Sequence, residues 1–142
     1  TDFDFNGRVI LLDIDGTLVP DGTTEAPTAV REAVQKLAAR NTVWLCTNSR
    51  HTARNEELAR LFEVPLLRTA VKKPHADVVK NLSVKTGLVV IGDKFITDEL
   101  LARFTKSTFV RVARKISGHE RFKVKMITLV DDVVYSVVGF FR

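Results

Sequence analysis

Val9-Ile10-Leu11-Leu12-Asp13-Ile14-Asp15-Gly16-Thr17 is the stretch that decides how this chain is read. A short apolar run rich in branched side chains reads as a strand buried on both faces, which is the habit of parallel sheets. Further runs of this kind are Thr42–Cys46, Val64–Leu67, Leu88–Ile91 and Thr108–Val112. Between them lie stretches of helical spacing: Pro27–Arg40, His51–Phe62, Pro74–Lys85 and Thr97–Phe104. Strict alternation of strand and helix predicts an α/β fold: a three-layer, Rossmann-like, doubly wound sheet of about five parallel strands with helices on both faces. In such sheets ligands gather beyond the carboxyl ends of the strands, so chemistry is sought just after each apolar run.

After the first strand, Asp13 and Asp15 emerge two residues apart, and Gly16 permits a tight turn. Like charges this close are tolerated when a cation sits between them or a proton is shared. A site offering oxygen and neither His nor Cys points to Mg²⁺. A solvated Asp-Gly turn is the plainer reading of Asp15-Gly16 alone. After the second strand, Thr47-Asn48-Ser49 offers hydroxyl and amide groups at a helix start, where simple capping is the first explanation. Lys72-Lys73-Pro74 places a lysine directly before a proline suited to opening a helix. After the fourth strand, Gly92-Asp93 and Thr97-Asp98 add two more carboxylates. All four segments fall on one predicted edge, and carboxylates, hydroxyl donors and a lysine together suit a phosphoryl group with Mg²⁺.

Those four segments, in that order, resemble the motifs of the haloacid dehalogenase superfamily of phosphohydrolases, over residues 9 to about 112. Within it, Leu18-Val19-Pro20, Lys72-Lys73-Pro74-His75 and Gly92-Asp93-Lys94-Phe95-Ile96-Thr97-Asp98 are most similar to the YqeG-like branch, whose relatives include phosphatidylglycerophosphate phosphatases. The resemblance implies Asp13 as nucleophile, forming an aspartyl-phosphate, and Asp15 as general acid and base. It implies Mg²⁺ held by the Asp13 carboxylate, the Asp15 main-chain carbonyl and Asp93, with Asp98 supporting bound water. Thr47 and Asn48 would bind phosphoryl oxygens, and Lys73 would neutralise them and draw Asp13 close.

The gaps between motifs hold one helix, or one helix and a strand, which leaves no room for a cap domain. By the same resemblance, an uncapped core acts on bulky substrates, with phosphatidylglycerophosphate the leading expectation and a nucleic acid terminal phosphate, a phosphoprotein or a small phosphate ester the alternatives. The expectation is a single domain over residues 1–142. A non-catalytic binding scaffold on the same fold is the alternative outside enzymology.

Composition narrows the rest. With 45% hydrophobic and 27% charged residues, and only 7 Gly and 4 Pro, neither a collagen-like nor a low-complexity disordered chain fits. One cysteine, Cys46, excludes an internal disulfide, and three scattered histidines give no zinc spacing. No apolar stretch approaches the roughly 20 residues that span a bilayer. Asp2 and Asp4 stand where a secretory signal carries positive charge. An intracellular protein is expected, cytoplasmic or in an organelle matrix, peripheral to a membrane if its substrate is a lipid.

The formal charge of +5 is concentrated between Arg103 and Lys125, where eight basic residues face Glu120 alone, a net +7 that leaves −2 elsewhere. Such a segment attracts an anionic lipid surface or, as the lesser alternative, nucleic acid; a solvated basic face with no partner is equally compatible. From Met126 to Phe141 the apolar spacing favours a helix closing one face of the sheet. A hairpin turning at Asp131-Asp132 and an interfacial membrane anchor are the alternatives.

Overall fold

A computed structural model describes residues 5–84, 87–116, 129–134 and 136–138. The described chain runs β1 (Val9–Leu12), α1 (Thr28–Ala38), β2 (Thr42–Leu45), α2 (Thr52–Phe62), a 3₁₀ turn (Ala76–Val79), β3 (Leu88–Gly92), a π-helical turn (Phe95–Glu99), α3 (Leu100–Phe104) and β4 (Thr108–Arg111). All strands pair in parallel, in the order β2-β1-β3-β4. This is the open α/β sheet that the alternation implies, with four strands among the described residues against the expectation of about five.

Every residue of β1 and β3 is buried, because their alternate side chains feed two different cores. Ile10 and Leu12 join Val34 of α1 and Leu58 and Phe62 of α2 on one face. Val9 and Leu11 join Val78 of the 3₁₀ turn and Leu101 and Ala102 of α3 on the other. Two apolar layers enclosing a central strand explain why the sequence there is continuously apolar instead of alternating.

Two sequence expectations fail for local reasons. Val64–Leu67 makes only one bridge, Leu66 to Leu45, with the Leu45 amide bonded to the Pro65 carbonyl and the Leu67 amide to the Leu45 carbonyl. Pro65 has no N–H to extend that ladder. Pro74–Lys85 forms a single 3₁₀ turn instead of a helix, since Val78, Val79, Asn81 and Ser83 are poor helix formers and Val78 alone is fully buried. Residues 85 and 86 lie outside the described part.

In the tail, residues 129–134 and 136–138 are helical, so no hairpin turns at Asp131-Asp132. The rest of the Met126–Phe141 stretch lies outside the described residues, as does the basic segment beyond Ile116. Among the described residues Asp131 docks this helix, with Val134 and Val138 half-buried. The buried Asp131 carboxylate accepts the main-chain N–H groups of Phe95 and Ile96 at 2.9 and 2.8 Å, capping the π-helical turn. Leu129, Val130, Val133 and Val137 are exposed.

Candidate active site

The parallel ladders continue one residue beyond the strands: the Asp13 amide donates to Ile91, and the Cys46 amide to Leu12. Those bonds deliver Asp13, Thr47 and Asp93 to one edge of the sheet. Asp98 arrives differently. The Lys94 carbonyl accepts from the amides of both Asp98 and Glu99, and the wide π turn this makes carries the Asp98 carboxylate back beneath β3. There Asp98 is fully buried and accepts the Lys94 main-chain N–H at 3.2 Å.

Asp13, Asp93 and Asp98 each contribute an oxygen to a cluster whose atoms lie within 4.8 Å of one another, and all three residues are buried. Lys73 holds two of them together, its Nζ donating to Asp13 at 2.6 Å and to Asp98 at 2.5 Å. Thr17 donates to Asp13 Oδ2 at 3.0 Å and approaches Asp93 Oδ1 at 3.4 Å. Asn48 clamps Lys73 from behind: its amide nitrogen donates to the Lys73 carbonyl and its amide oxygen accepts the Lys73 N–H, both at 2.9 Å.

Burial favours neutral forms here, and the charged neighbours decide the outcome. Burial raises the Asp13 pKa, yet Lys73 and Lys94 outweigh it and leave that carboxyl below its ordinary value. Burial and then Asp13 raise the pKa of Asp98 against the pull of Lys73. Burial pushes Asp93 up to about 6, with Lys94 and Arg114 opposing and Asp13 adding. Burial opposes the Lys73 ammonium, but Asp13 and Asp98 hold it protonated well above ordinary lysine. Cys46 is pushed up to about 11 by burial, which keeps it an inert thiol.

The donor set fits a divalent cation. Asp93 Oδ2 is buried without a hydrogen bond, facing the Arg114 guanidinium at 3.2 Å. The Lys94 ammonium lies 3.2 Å from the Asp15 carbonyl and 3.7 Å from Asp93 Oδ1, so a positive charge already stands between two groups that a hard cation would use. The Asp15 carboxylate is absent from the cluster. It pairs instead with Arg54, Oδ1 to Nη2 at 2.7 Å, and takes weaker contacts from the Gly22 amide at 3.2 Å and the Thr47 hydroxyl at 3.4 Å.

All the sequence-predicted positions, Asp13, Asp15, Thr47, Asn48, Lys73, Asp93 and Asp98, thus stand at this edge. Arg54, Lys94, Arg114 and Thr17 join them without having been singled out. Arg54 carried a readable signal: a cation in the first turn of α2 opposes the helix dipole and needs another reason to be there. Arg114 came from the basic segment, where Arg103 pairs with Glu99 and Arg111 with Asp132 as well, so part of that charge is spent internally.

A carboxylate at the β1 end of a parallel sheet, a hydroxyl at the β2 end, a buried lysine and two acids after β3 are the arrangement of a phosphohydrolase of the haloacid dehalogenase type. The chain belongs to the mitochondrial PGP phosphatase family, whose model matches residues 3–117. It is accordingly a phosphatase, a phosphoric monoester hydrolase. No curated protein and no solved structure matches the chain. Among the described residues, no helix is long and apolar enough to cross a membrane.

Two glycines are dictated by carboxylates. A Cβ on Gly16, whose φ is +83°, would lie 2.5 Å from Asp93 Oδ2, and one on Gly92 would lie 2.3 Å from Asp98 Cγ. Gly92→Ala is expected to destabilise the fold by about 1–3 kcal/mol in urea unfolding. Adding Asp98→Gly, which removes the Asp98 Cβ at 2.6 Å together with the carboxylate, should give less than the sum of the two single losses, and simple additivity would refute the contact.

Proposed function

We propose that this chain is a Mg²⁺-dependent phosphatase that removes the terminal phosphate of phosphatidylglycerophosphate through an aspartyl-phosphate on Asp13. The observation that carries the reading is the buried Lys73 ammonium, 2.6 Å from Asp13, within the cluster that Asp93 and Asp98 complete. The formal charges of Lys73, Lys94 and Arg114 balance those of Asp13, Asp93 and Asp98, so a divalent cation and a phosphate dianion can enter together with little net change of charge.

In the first half of the reaction an Asp13 oxygen bonds to phosphorus as the bond from phosphorus to the glycerol oxygen breaks. Asp15 gives its proton to that leaving alkoxide. In the second half a water oxygen bonds to phosphorus, its proton passes to Asp15, and the phosphorus–Asp13 bond breaks to free phosphate. Lys73 restrains Asp13 and offsets phosphoryl charge, and Asn48 fixes Lys73 through its main chain. Thr47 would offer its hydroxyl to the phosphoryl oxygens, whereas the Asn48 side chain, expected to do the same, is engaged at both ends by the Lys73 main chain and supports that lysine instead. Mg²⁺, when bound, would be held by Asp13, the Asp15 carbonyl and Asp93, with Asp98 in support, and supplies positive charge to the phosphoryl oxygens.

The family description supports the lipid substrate, and so does the short connection at each motif, which inserts no covering domain among the described residues. Exposed Lys115, beyond the carboxyl end of β4 with its amide on the Gly16 carbonyl, would face an anionic membrane surface at the same edge as the cluster, and the family description favours the mitochondrion as the compartment. We take residues 1–142 as one functional unit.

Asp13→Asn should lower hydrolysis of phosphatidylglycerophosphate in mixed micelles by on the order of 10³-fold or more with folding retained; activity near wild type would remove Asp13 from the chemistry. Below about 6, Asp93 carries a proton that a cation must displace, so metal affinity should fall as pH falls through that value. Calorimetric Mg²⁺ titrations at about pH 7.5 and about pH 5 should therefore show the tighter binding at the higher pH, and the reverse order would contradict the assignment of Asp93.

A further inference from the structure

We infer that Arg54 is the positioning residue for the general acid and base, fixing the side chain of Asp15 through a forked pair. The inference rests on the role proposed above for Asp15. Arg54 Nη2 and Nη1 reach Asp15 Oδ1 and Oδ2 at 2.7 and 3.3 Å, a bidentate contact between two side chains that are 12% and 14% exposed. The guanidinium plane is itself fixed, because Nε donates to the Thr23 carbonyl at 2.9 Å.

The main chain at Asp15 does not need this help. The turn is closed by the Gly16 amide on the Val19 carbonyl at 2.8 Å and by the Leu18 amide on the Ile14 carbonyl at 2.9 Å. What remains to be set is the Asp15 side-chain rotamer. Arg54 supplies the charged contacts: its 2.7 Å bond fixes Oδ1 and its 3.3 Å contact sets the carboxyl plane. The Gly22 amide at 3.2 Å and the Thr47 hydroxyl at 3.4 Å are long neutral contacts, so Oδ2, held by no short bond, is the oxygen that carries the proton. A lysine at this position would keep the charge and lose the two-point geometry.

Losing the fork should therefore damage proton transfer more than it damages folding. An alkoxide leaving group needs a proton as its bond to phosphorus breaks, whereas p-nitrophenolate is stable enough to leave without one. In the second half, both substrates pass through the same aspartyl-phosphate, whose hydrolysis needs Asp15 to take a proton from water.

Arg54→Gln and Arg54→Lys test this by rapid-quench and stopped-flow kinetics with Mg²⁺, using p-nitrophenyl phosphate and an alkyl phosphate such as glycerol 3-phosphate. Both variants should release a rapid burst of p-nitrophenolate of about one per enzyme before slow turnover. The single-turnover rate on the alkyl ester should fall at least about tenfold more than the burst rate. Equal losses on the two substrates, or no loss, would overturn the role of Arg54. An Asp15→Asn control separates the two claims: if it lacks the burst pattern, the role of Asp15 itself fails, and if it shows the pattern while the Arg54 variants do not, only the inference on Arg54 fails. Thermal unfolding of each variant identifies a simple loss of structure, in which case equal rate losses in the folded fraction count against the inference.

Discussion

One buried ammonium organises this edge of the protein. Lys73 stands between Asp13 and Asp98, three charged groups with almost no exposure, and each is tolerable only because of the others. Removing one partner from such a cluster costs about 3–5 kcal/mol, chiefly through the uncompensated charge left behind. The cluster is therefore a geometric device at the edge where the strand ends meet, and its members cannot drift independently. Asn48 extends the constraint by binding the Lys73 main chain at both its N–H and its carbonyl, which ties the β2 edge to the segment before the 3₁₀ turn.

Close approach has consequences for the backbone. Asp93 and Asp98 come so near to Gly16 and Gly92 that any side chain at those positions would meet a carboxylate atom within 2.5 Å. The loop after β1 and the end of β3 are thus shaped by the carboxylates as much as by turn geometry. Around them, Lys94 and Arg114 supply the positive charge that keeps Asp93 tolerable, and Asp131 from the tail secures the turn that delivers Asp98.

The sheet and its active edge were legible because both follow from local patterns. Continuous apolar runs such as Leu88–Ile91 locate the strands, and in a parallel sheet their carboxyl ends lie together, which brings Asp13, Thr47 and Asp93 into one place without knowledge of any contact. The extra strand at Val64–Leu67 misled because its apolar content is right and only the missing Pro65 N–H limits it to a bridge. Asp131 was out of reach for a different reason: its partners are 35 and 36 residues away, and nothing in the local pattern distinguishes a capping carboxylate from a turn. Arg114 was hidden within a basic stretch that invited an external partner, whereas it reaches Asp21 and Asp93 inside the fold.

The most direct test of the whole arrangement is anomalous diffraction from crystals grown with Mn²⁺. A single peak bonded to the Asp13 carboxylate, the Asp15 carbonyl and Asp93, with the Lys94 ammonium withdrawn from that carbonyl, is the expected result. Manganese bound elsewhere, or Lys94 still seated on the Asp15 carbonyl with no metal beside it, would contradict the account.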